Sequence, residues 1–380
     1  MANWTTTSAM AVALGLSVLE SGCGDSSKDG GPTGIGPPPG LAACSAGPFL
    51  TVPLVAASSI QVVAPLGNLN PPGHTFPTDH IYLYMAVFPV AISAPGNLVI
   101  TDVLVQHRTG GGQADLDDYA VTFFPCSDVM MQLAHVARLA TQLSAKVGDL
   151  SGGCGSSYQL AGFTYQQCRK SVNVAMSTGE VMGTTAATLD VLARDRRITI
   201  AYVNASRLSD SVGAFGDKHV ACPIDYFEAS IADPLRAKLG IGSALRTTPP
   251  VCGDVAQDVP NTAAGRWFRI GSPTYPEEPH LALVHDNFNP ALGVFSVGSS
   301  IPSLSARTYT FTPAATGRVN LDFRYVTTIG ETECYVVSAN QRVLLQLTST
   351  TRLRIQGIGP GTCGDPSTWI LGAGAVEFER

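Results

Sequence analysis

The residues best suited to chemistry lie in Gly73-His74-Thr75-Phe76-Pro77-Thr78-Asp79-His80. An imidazole and a carboxylate this close on a loop can converge on one divalent cation. Imidazole nitrogen and carboxylate oxygen are both good zinc donors. The competing reading is a polar turn whose His and Asp are simply solvated. Further along stand His135, in Gln132-Leu133-Ala134-His135-Val136, and Asp190, in Thr188-Leu189-Asp190-Val191. His280 and His285 bracket an apolar run that reads as a strand. Side chains alternate along a strand, so these two imidazoles face opposite sides and do not suit one metal. His107 and His219 read as loop or surface residues, and Asp225 as a helix cap. The chain has no G-x-S-x-G elbow, no H-E-x-x-H and no phosphate-binding glycine loop. Those absences remove the serine hydrolases that use the elbow, the H-E-x-x-H zinc enzymes and the common nucleotide-binding folds.

Short apolar runs broken by Gly and Pro must position these groups. Ile81 to Val87, Leu98 to Gln106 and Tyr119 to Phe124 read as strands, with Gly110-Gly111-Gly112 as a loop. Val172 to Met176, a turn at Gly179, and Thr188 to Ala193 form a strand-turn-strand series. Val129 to Leu143 has near-helical spacing and fits a short helix or a strand followed by a turn. Pro223 to Leu239 is the clearest helix, with Ile231, Leu235 and Leu239 on one face. Pro249-Pro250 marks a boundary. Beyond it about eight short β-segments are expected: Leu281 to His285, Gly293 to Val297, Thr308 to Phe311, Val319 to Phe323, Cys334 to Val337, Val343 to Leu347, Arg352 to Ile355 and Ala375 to Glu379. They argue for a small sandwich or barrel. Gly265-Arg266-Trp267 resembles the G-x-W of lipocalin-like barrels, although a core tryptophan of a sandwich is the commoner origin of such a triplet.

Taken in order, the segments around His74–His80, Gln132–Val136, Ser177-Thr178-Gly179-Glu180-Val181-Met182-Gly183 and Thr188-Leu189-Asp190-Val191-Leu192-Ala193-Arg194-Asp195 resemble the LytM-like zinc peptidases, the cell-wall endopeptidases of peptidase family M23. That family has an H-x3-D motif, a Y-x-H-L segment, a V-x-x-G-x-x-I-G turn and a closing H-L-H-F-E-V-R-D. The resemblance spans residues 60 to 200 and implies a mainly β fold: a LytM-like antiparallel sheet domain, followed here by the small sandwich or barrel. It implies that His74 and Asp79 stand at two zinc-ligand positions and Asp190 at the third. His135 falls at a catalytic position that stabilises the oxyanion. Thr188 stands where the family has its other catalytic His, and a threonine cannot act as that base. The spacing from His74 to Asp79 is one residue longer than the family's, so His80 is an alternative ligand. A His/Asp/Asp set would hold zinc less selectively and acidify its water less. A LytM-like scaffold of lost or altered activity therefore fits better than a working endopeptidase.

The bulk properties agree with an exported chain. Hydrophobic residues make up 45% and charged residues 14% of 380 residues, which is the balance of a folded protein and not a disordered one. A net charge of -6 offers no broad basic field, so nucleic acid is not an expected partner. Residues 1–23 read as a leader: the apolar run from Ala9 to Leu19 is too short to span a bilayer and runs into Leu19-Glu20-Ser21-Gly22-Cys23, which resembles a lipoprotein box. Membrane attachment would come only through a lipidated Cys23. Residues 24–43 read as a flexible linker, 44–248 as the LytM-like domain with a helical extension, and 251–380 as the C-terminal β-domain. Of nine cysteines, Cys23 aside, eight remain, enough for four disulfides. Cys334 and Cys363 are expected to pair, and Cys154 and Cys168 can close a short excursion. The other pairings stay open, and no paired C-x-x-C suggests a zinc-thiolate site. The expectation is an exported protein, periplasmic, outer-membrane-anchored or extracellular, that binds or scaffolds at peptidoglycan or another cell-surface polymer. A zinc-dependent endopeptidase, or a structural or adhesive protein without a metal site, are the alternatives.

Overall fold

A computed structural model describes residues 36–160, 162–208, 215–242 and 244–380. The expected leader and most of the expected linker lie outside the described residues. The chain is mainly β, with 43% strand against 11% helix, and its strand pairs are antiparallel.

The first sheet contains β1 (Ile60–Ala64), β2 (His80–Met85), β3 (Ala91–Ser93), β4 (Leu98–Gly110), β5 (Leu116–Cys126), β6 (Val129–Leu139), β7 (Tyr158–Leu160), β8 (Phe163–Met176), β9 (Val181–Asp195) and β10 (Val220–Ala221). Its order is β1-β2-β9-β6-β5-β4-β8-β7, with β3 and β10 also paired to β9. Alternation along the strands splits its two faces. Ile81, Leu83 and Met85 of β2, Leu189, Val191 and Ala193 of β9, Met131 and Leu133 of β6, and Val121 and Phe123 of β5 enter one buried core. The intervening residues, among them His80, Tyr82 and Asp190, are left for the opposite face. Two short helices close the core side. α1 (Thr141–Val147) buries Leu143 and Val147, and α2 (Ala229–Arg236) buries Ala232 and Leu235.

The stretch from Val129 to Leu143 resolves as strand β6 followed directly by α1. The helix expected over Pro223 to Leu239 is shorter than its pattern. A 3-10 turn occupies Pro223–Tyr226, and only Ala229–Arg236 is α-helical. The reason is tertiary. Leu50 docks beside Phe227: the N–H groups of Phe49 and Leu50 both donate to the Tyr226 carbonyl, and Glu228 N–H donates to the Leu50 carbonyl. Those backbone groups are therefore spent outside any helix.

Beyond the small hairpin of β11 (Gly240–Ile241) and β12 (Ala244–Leu245), the chain forms β13 (Gly265–Arg269), β14 (Leu281–His285), β15 (Gly293–Val297), β16 (Arg307–Phe311), β17 (Thr332–Ser338), β18 (Gln341–Ser349), β19 (Arg352–Ile358) and β20 (Val376–Glu379). Their order, β16-β15-β14-β13-β20-β19-β18-β17, is an up-and-down meander curled so that β13 pairs with β20. The result is a nearly closed eight-stranded barrel whose seam lies between β16 and β17. Its interior is solid: Trp267, Phe295, Phe311, Phe323, Tyr335 and Phe378 form one buried cluster. Arg380 lies over the Trp267 ring at 4.4 Å. The sequence expectation of eight strands is met in number, with one exchange. Val319 to Phe323 makes only isolated bridges, because Asn320 sits at φ 53° and Asp322 caps a 3-10 turn. The segment around Trp267 is the strand that replaces it.

Four disulfides pair the cysteines from Cys44 onwards: Cys44–Cys126, Cys154–Cys168, Cys222–Cys252 and Cys334–Cys363. Cys44–Cys126 encloses 82 residues, the longest loop of the four. In the chain-entropy picture, removing a cross-link of that span costs about 4 kcal/mol. Replacing Cys44 and Cys126 together by Ser is thus expected to lower urea-denaturation stability by about that amount. A loss below about 1 kcal/mol would mean that the reduced chain is already ordered there. Among the described residues, no helix is long and apolar enough to cross a membrane.

Candidate metal centre

The histidines and aspartates singled out in the sequence meet on the face of the first sheet opposite its core. β2 and β9 pair with Tyr82 opposite Asp190, and β9 and β6 pair with Ala134 opposite Asp190. His135 joins them through a bulge. The β6–β9 register shifts between Ala134 and Val136, and His135 has φ 61°. Regular alternation would turn His135 inward beside Leu133. The extra residue keeps it outside and returns Val136, 2% exposed, to the core. A non-glycine residue held there stores roughly 1 kcal/mol or more. The bond from His135 Nδ1 to Asp118 Oδ2, 2.7 Å, holds the ring in place.

Each of two imidazoles is fixed from behind by a carboxylate and faces Asp190 in front. His80 Nδ1 lies 2.9 Å from Asp79 Oδ1, and its Nε2 lies 3.4 Å from Asp190 Oδ2. His135 Nε2 lies 3.4 Å from the same Asp190 oxygen. His74 stands edge-on to His80 with ring centroids 5.7 Å apart. The Asp79 carboxylate is fully engaged, since its second oxygen accepts from Arg194 Nη2 at 2.7 Å. Side-chain exposure is 8% for Asp190, 11% for His80 and 24% for His135, so the centre is buried and opens on the His135 side. The solvated polar turn, the competing reading of His74 and Asp79, does not describe this environment. Thr188 lies two residues before Asp190, opposite Tyr84 and on the same face.

A distance of 3.4 Å is long for a hydrogen bond. It matches the edge of a tetrahedron of donors around zinc, about 3.4 Å for bonds near 2.1 Å. His80 Nε2 and Asp190 Oδ1 are buried without a hydrogen-bond partner. Donor chemistry and these two orphaned atoms fit a divalent cation. As the side chains stand, no three His, Cys, Asp or Glu among the described residues converge on one metal position. Two donor edges are in place, and the third closes only if a side chain rotates.

The electrostatics follow from the same contacts. Burial pulls the His74 imidazole down to about 4, helped by the charge of His80. Burial opposes a charged His135 as well, but the bond to Asp118 and the charge of Asp190 outweigh it and lift the ring to about 9. Burial pushes the Asp190 carboxyl up against the pull of both imidazoles. For Asp79 burial acts the same way, yet His80 and Arg194 win and hold it far below the usual carboxylate range. The joint contribution of His74 and His135 to the stability of the metal-free protein is therefore largest near pH 6.5. His135, raised from 6.5 to about 9, stabilises fully below 6.5, and that contribution disappears as pH rises through 9. His74, lowered from 6.5 to about 4, stays neutral while the unfolded chain takes up a proton, so stability falls as pH drops from 6.5 towards 4. Each flank is worth roughly 3 kcal/mol. Urea midpoints measured with chelator across this range test the shape, and a flat alkaline limb up to pH 9.5 would remove the His135–Asp118–Asp190 contribution.

Asp118 and Arg194 are essential to this arrangement and were not picked out as site residues from the sequence. The available signals were weak: an Asp117-Asp118 pair and an Arg194-Asp195 pair, each at the polar end of an apolar strand. The other histidines have structural roles. His280 accepts from Arg269 N–H and bonds the Pro273 and Thr274 carbonyls, and His285 packs against Pro290 and Asp322. His107 lies within β4, paired with Asp117. His219 is buried rather than superficial, and Asp225 pairs with Arg236 instead of capping a helix. No family model, no curated protein and no solved structure matches the chain.

Proposed function

We propose that the chain is an exported, envelope-associated binding protein built on a LytM-like scaffold of altered activity. Its centre holds one divalent cation, zinc by donor chemistry, between His80, His135 and Asp190, with His74 at the rim. The observation that carries this reading is the pair of 3.4 Å approaches to one Asp190 oxygen by imidazoles whose outer nitrogens are tied to carboxylates. Metal-ligating histidines are ordinarily held in this way by an outer partner. Asp79, a ligand position by resemblance, then acts as the outer partner of His80, and His80 takes its place among the donors.

Zinc bound there would supply a Lewis-acid position. His80, His135 and Asp190 would orient it, with the open side at His135 left for a ligand. Cleavage in the family requires a second imidazole, and Thr188 offers neither a base nor a cation in its place. Binding to peptidoglycan or a similar surface polymer is thus favoured over hydrolysis. The four disulfides suit an oxidising compartment, which is where such a polymer is met. The test is co-sedimentation with purified peptidoglycan, with zinc and with chelator, while released soluble fragments are measured. Sedimentation without fragments is expected. Fragment release would restore the peptidase reading, and absence of both zinc uptake and sedimentation would leave a structural role.

A further inference from the structure

The His74–Asp79 loop is held from outside its own sheet. Its Phe76 ring, 2% exposed, is buried on the outer surface of the barrel with Phe268, Ala282, Val284 and Val294. The ring stacks on His280 at 5.3 Å and meets Phe268 edge-on at 5.1 Å. Phe76 N–H donates to Glu277 Oε2 at 2.8 Å. Arg266, on β13, donates to the Pro77 carbonyl at 3.2 Å, and its guanidinium covers the Phe76 and Tyr202 rings. On the Asp79 side, Arg194 bridges to Asp217, whose other oxygen accepts from Tyr275 at 3.1 Å. Four consecutive positions of the loop, Phe76 to Asp79, therefore include two held directly by the barrel and its β13–β14 loop and a third, Asp79, linked to that loop through Arg194 and Asp217. Within the first domain the loop is tied by the pairing of Asn70 with His74, by the Thr75 hydroxyl to the Pro72 carbonyl, and by backbone bonds of Thr78 with Gly67 and Asn68, none of which reaches Phe76 or Pro77.

We infer that the C-terminal barrel is a positioning module for the centre: Glu277 and Arg266 fix the loop that delivers His74, Asp79 and His80, so that metal binding and barrel docking are coupled. The inference rests on the proposed metal reading for its functional meaning, but the positioning itself can be read without metal. Outer partners of this kind change metal affinity 10–100-fold when removed, because the ligands lose their fixed orientation. Glu277 is suited to the task. It is half-buried, the desolvation it suffers there pushes its carboxyl up to about 7, and a neutral amide oxygen can accept the same Phe76 N–H.

The experiment compares the full chain with Glu277→Ala, Glu277→Gln and Arg266→Lys, reading zinc affinity by competition with a chromophoric chelator and amide exchange of the 73–80 segment by mass spectrometry. In Glu277→Ala, zinc affinity should fall about 10–100-fold and the segment should exchange faster, with strands β5 and β6 unchanged. Glu277→Gln should stay within about threefold of wild type on both readouts, which separates positioning from mere loss of charge. Arg266→Lys keeps the charge but loses the planar cover over Phe76, and should show the same two effects more weakly. It serves where the alanine variant does not fold. Unchanged exchange of the segment in both Glu277→Ala and Arg266→Lys overturns the inference. Faster exchange in those variants, in a protein whose wild type takes up no zinc, upholds the positioning and overturns only the metal reading.

Discussion

Asp190→Ala should bind zinc at least a hundredfold more weakly than the wild-type chain, while Thr188→Ala stays within about threefold. The asymmetry follows from where the two side chains sit. Both project from β9 to the same face, two residues apart. Only Asp190 is approached at 3.4 Å by both His80 and His135. It is the one anion facing both imidazoles. Without it a cation would meet two neutral nitrogens and no compensating charge in a buried place, and removing a partner from a buried charge costs several kcal/mol. The apo protein should respond too. Asp190 is one cause of the raised His135 titration, so the alkaline limb of the stability profile should shift to lower pH in Asp190→Asn. A chelator-competition titration of stripped protein reads the affinity, and a urea series against pH reads the limb. Equal zinc affinity in Asp190→Ala and wild type would dissolve the centre as drawn here.

Much of the fold was legible because it rests on local patterning. Leu281–His285 and Gly293–Val297 are apolar runs bounded by Gly, Pro and Asn, and both resolve as strands with those limits. The Cys334–Cys363 pair follows from isolation in sequence, and Cys154–Cys168 closes the short excursion that its spacing allows. Elements failed where a distant segment intervened. The helix expected from Pro223 is cut short because Leu50 takes the carbonyl of Tyr226, and Leu50 is invisible to a reading of the helix alone. Val319 to Phe323 alternates like a strand, yet Asn320 turns the backbone through positive φ. The site divides in the same way. His74, Asp79, His135 and Asp190 could be named from short motifs, and the sheet brings them to one face. Their roles could not. Whether Asp79 is a donor or an anchor depends on Arg194, 115 positions away. Whether His135 faces outward depends on one inserted residue in β6, a feature of register with no signature in residue type.

Arg194→Met should lower stability by about 3–5 kcal/mol at pH 8, the range for breaking a buried ion pair by removing one member. Arg194 is 10% exposed at its side chain and donates to Asp79, Asp217 and the Phe215 carbonyl at 2.7 to 2.9 Å. A methionine of similar length fills the space but supplies none of these donors. The buried Asp217 and the half-buried Asp79 carboxylates are then left facing each other's field. They regain neutrality only by protonation, so both titrate upward and the deficit should shrink as pH falls from 8 to 5. That slope distinguishes lost charge pairing from lost packing, which has no such dependence. Arg194→Met combined with Asp217→Asn should recover part of the loss, since one unpaired charge is gone. Arg194→Lys should fall between, because a single ammonium in place of Nη2 can meet the two carboxylates but leaves the Phe215 carbonyl without the Nη1 donor. The consequence reaches the centre. Freed from Arg194, Asp79 is no longer held in line with His80 Nδ1, and the imidazole loses the partner that aims its Nε2 at Asp190. Zinc affinity in the Met variant should then drop even at pH 5.5, where the folded population is restored. A stability loss below about 1 kcal/mol at pH 8 would show that solvent already screens the pair and that Asp79 needs no anchor.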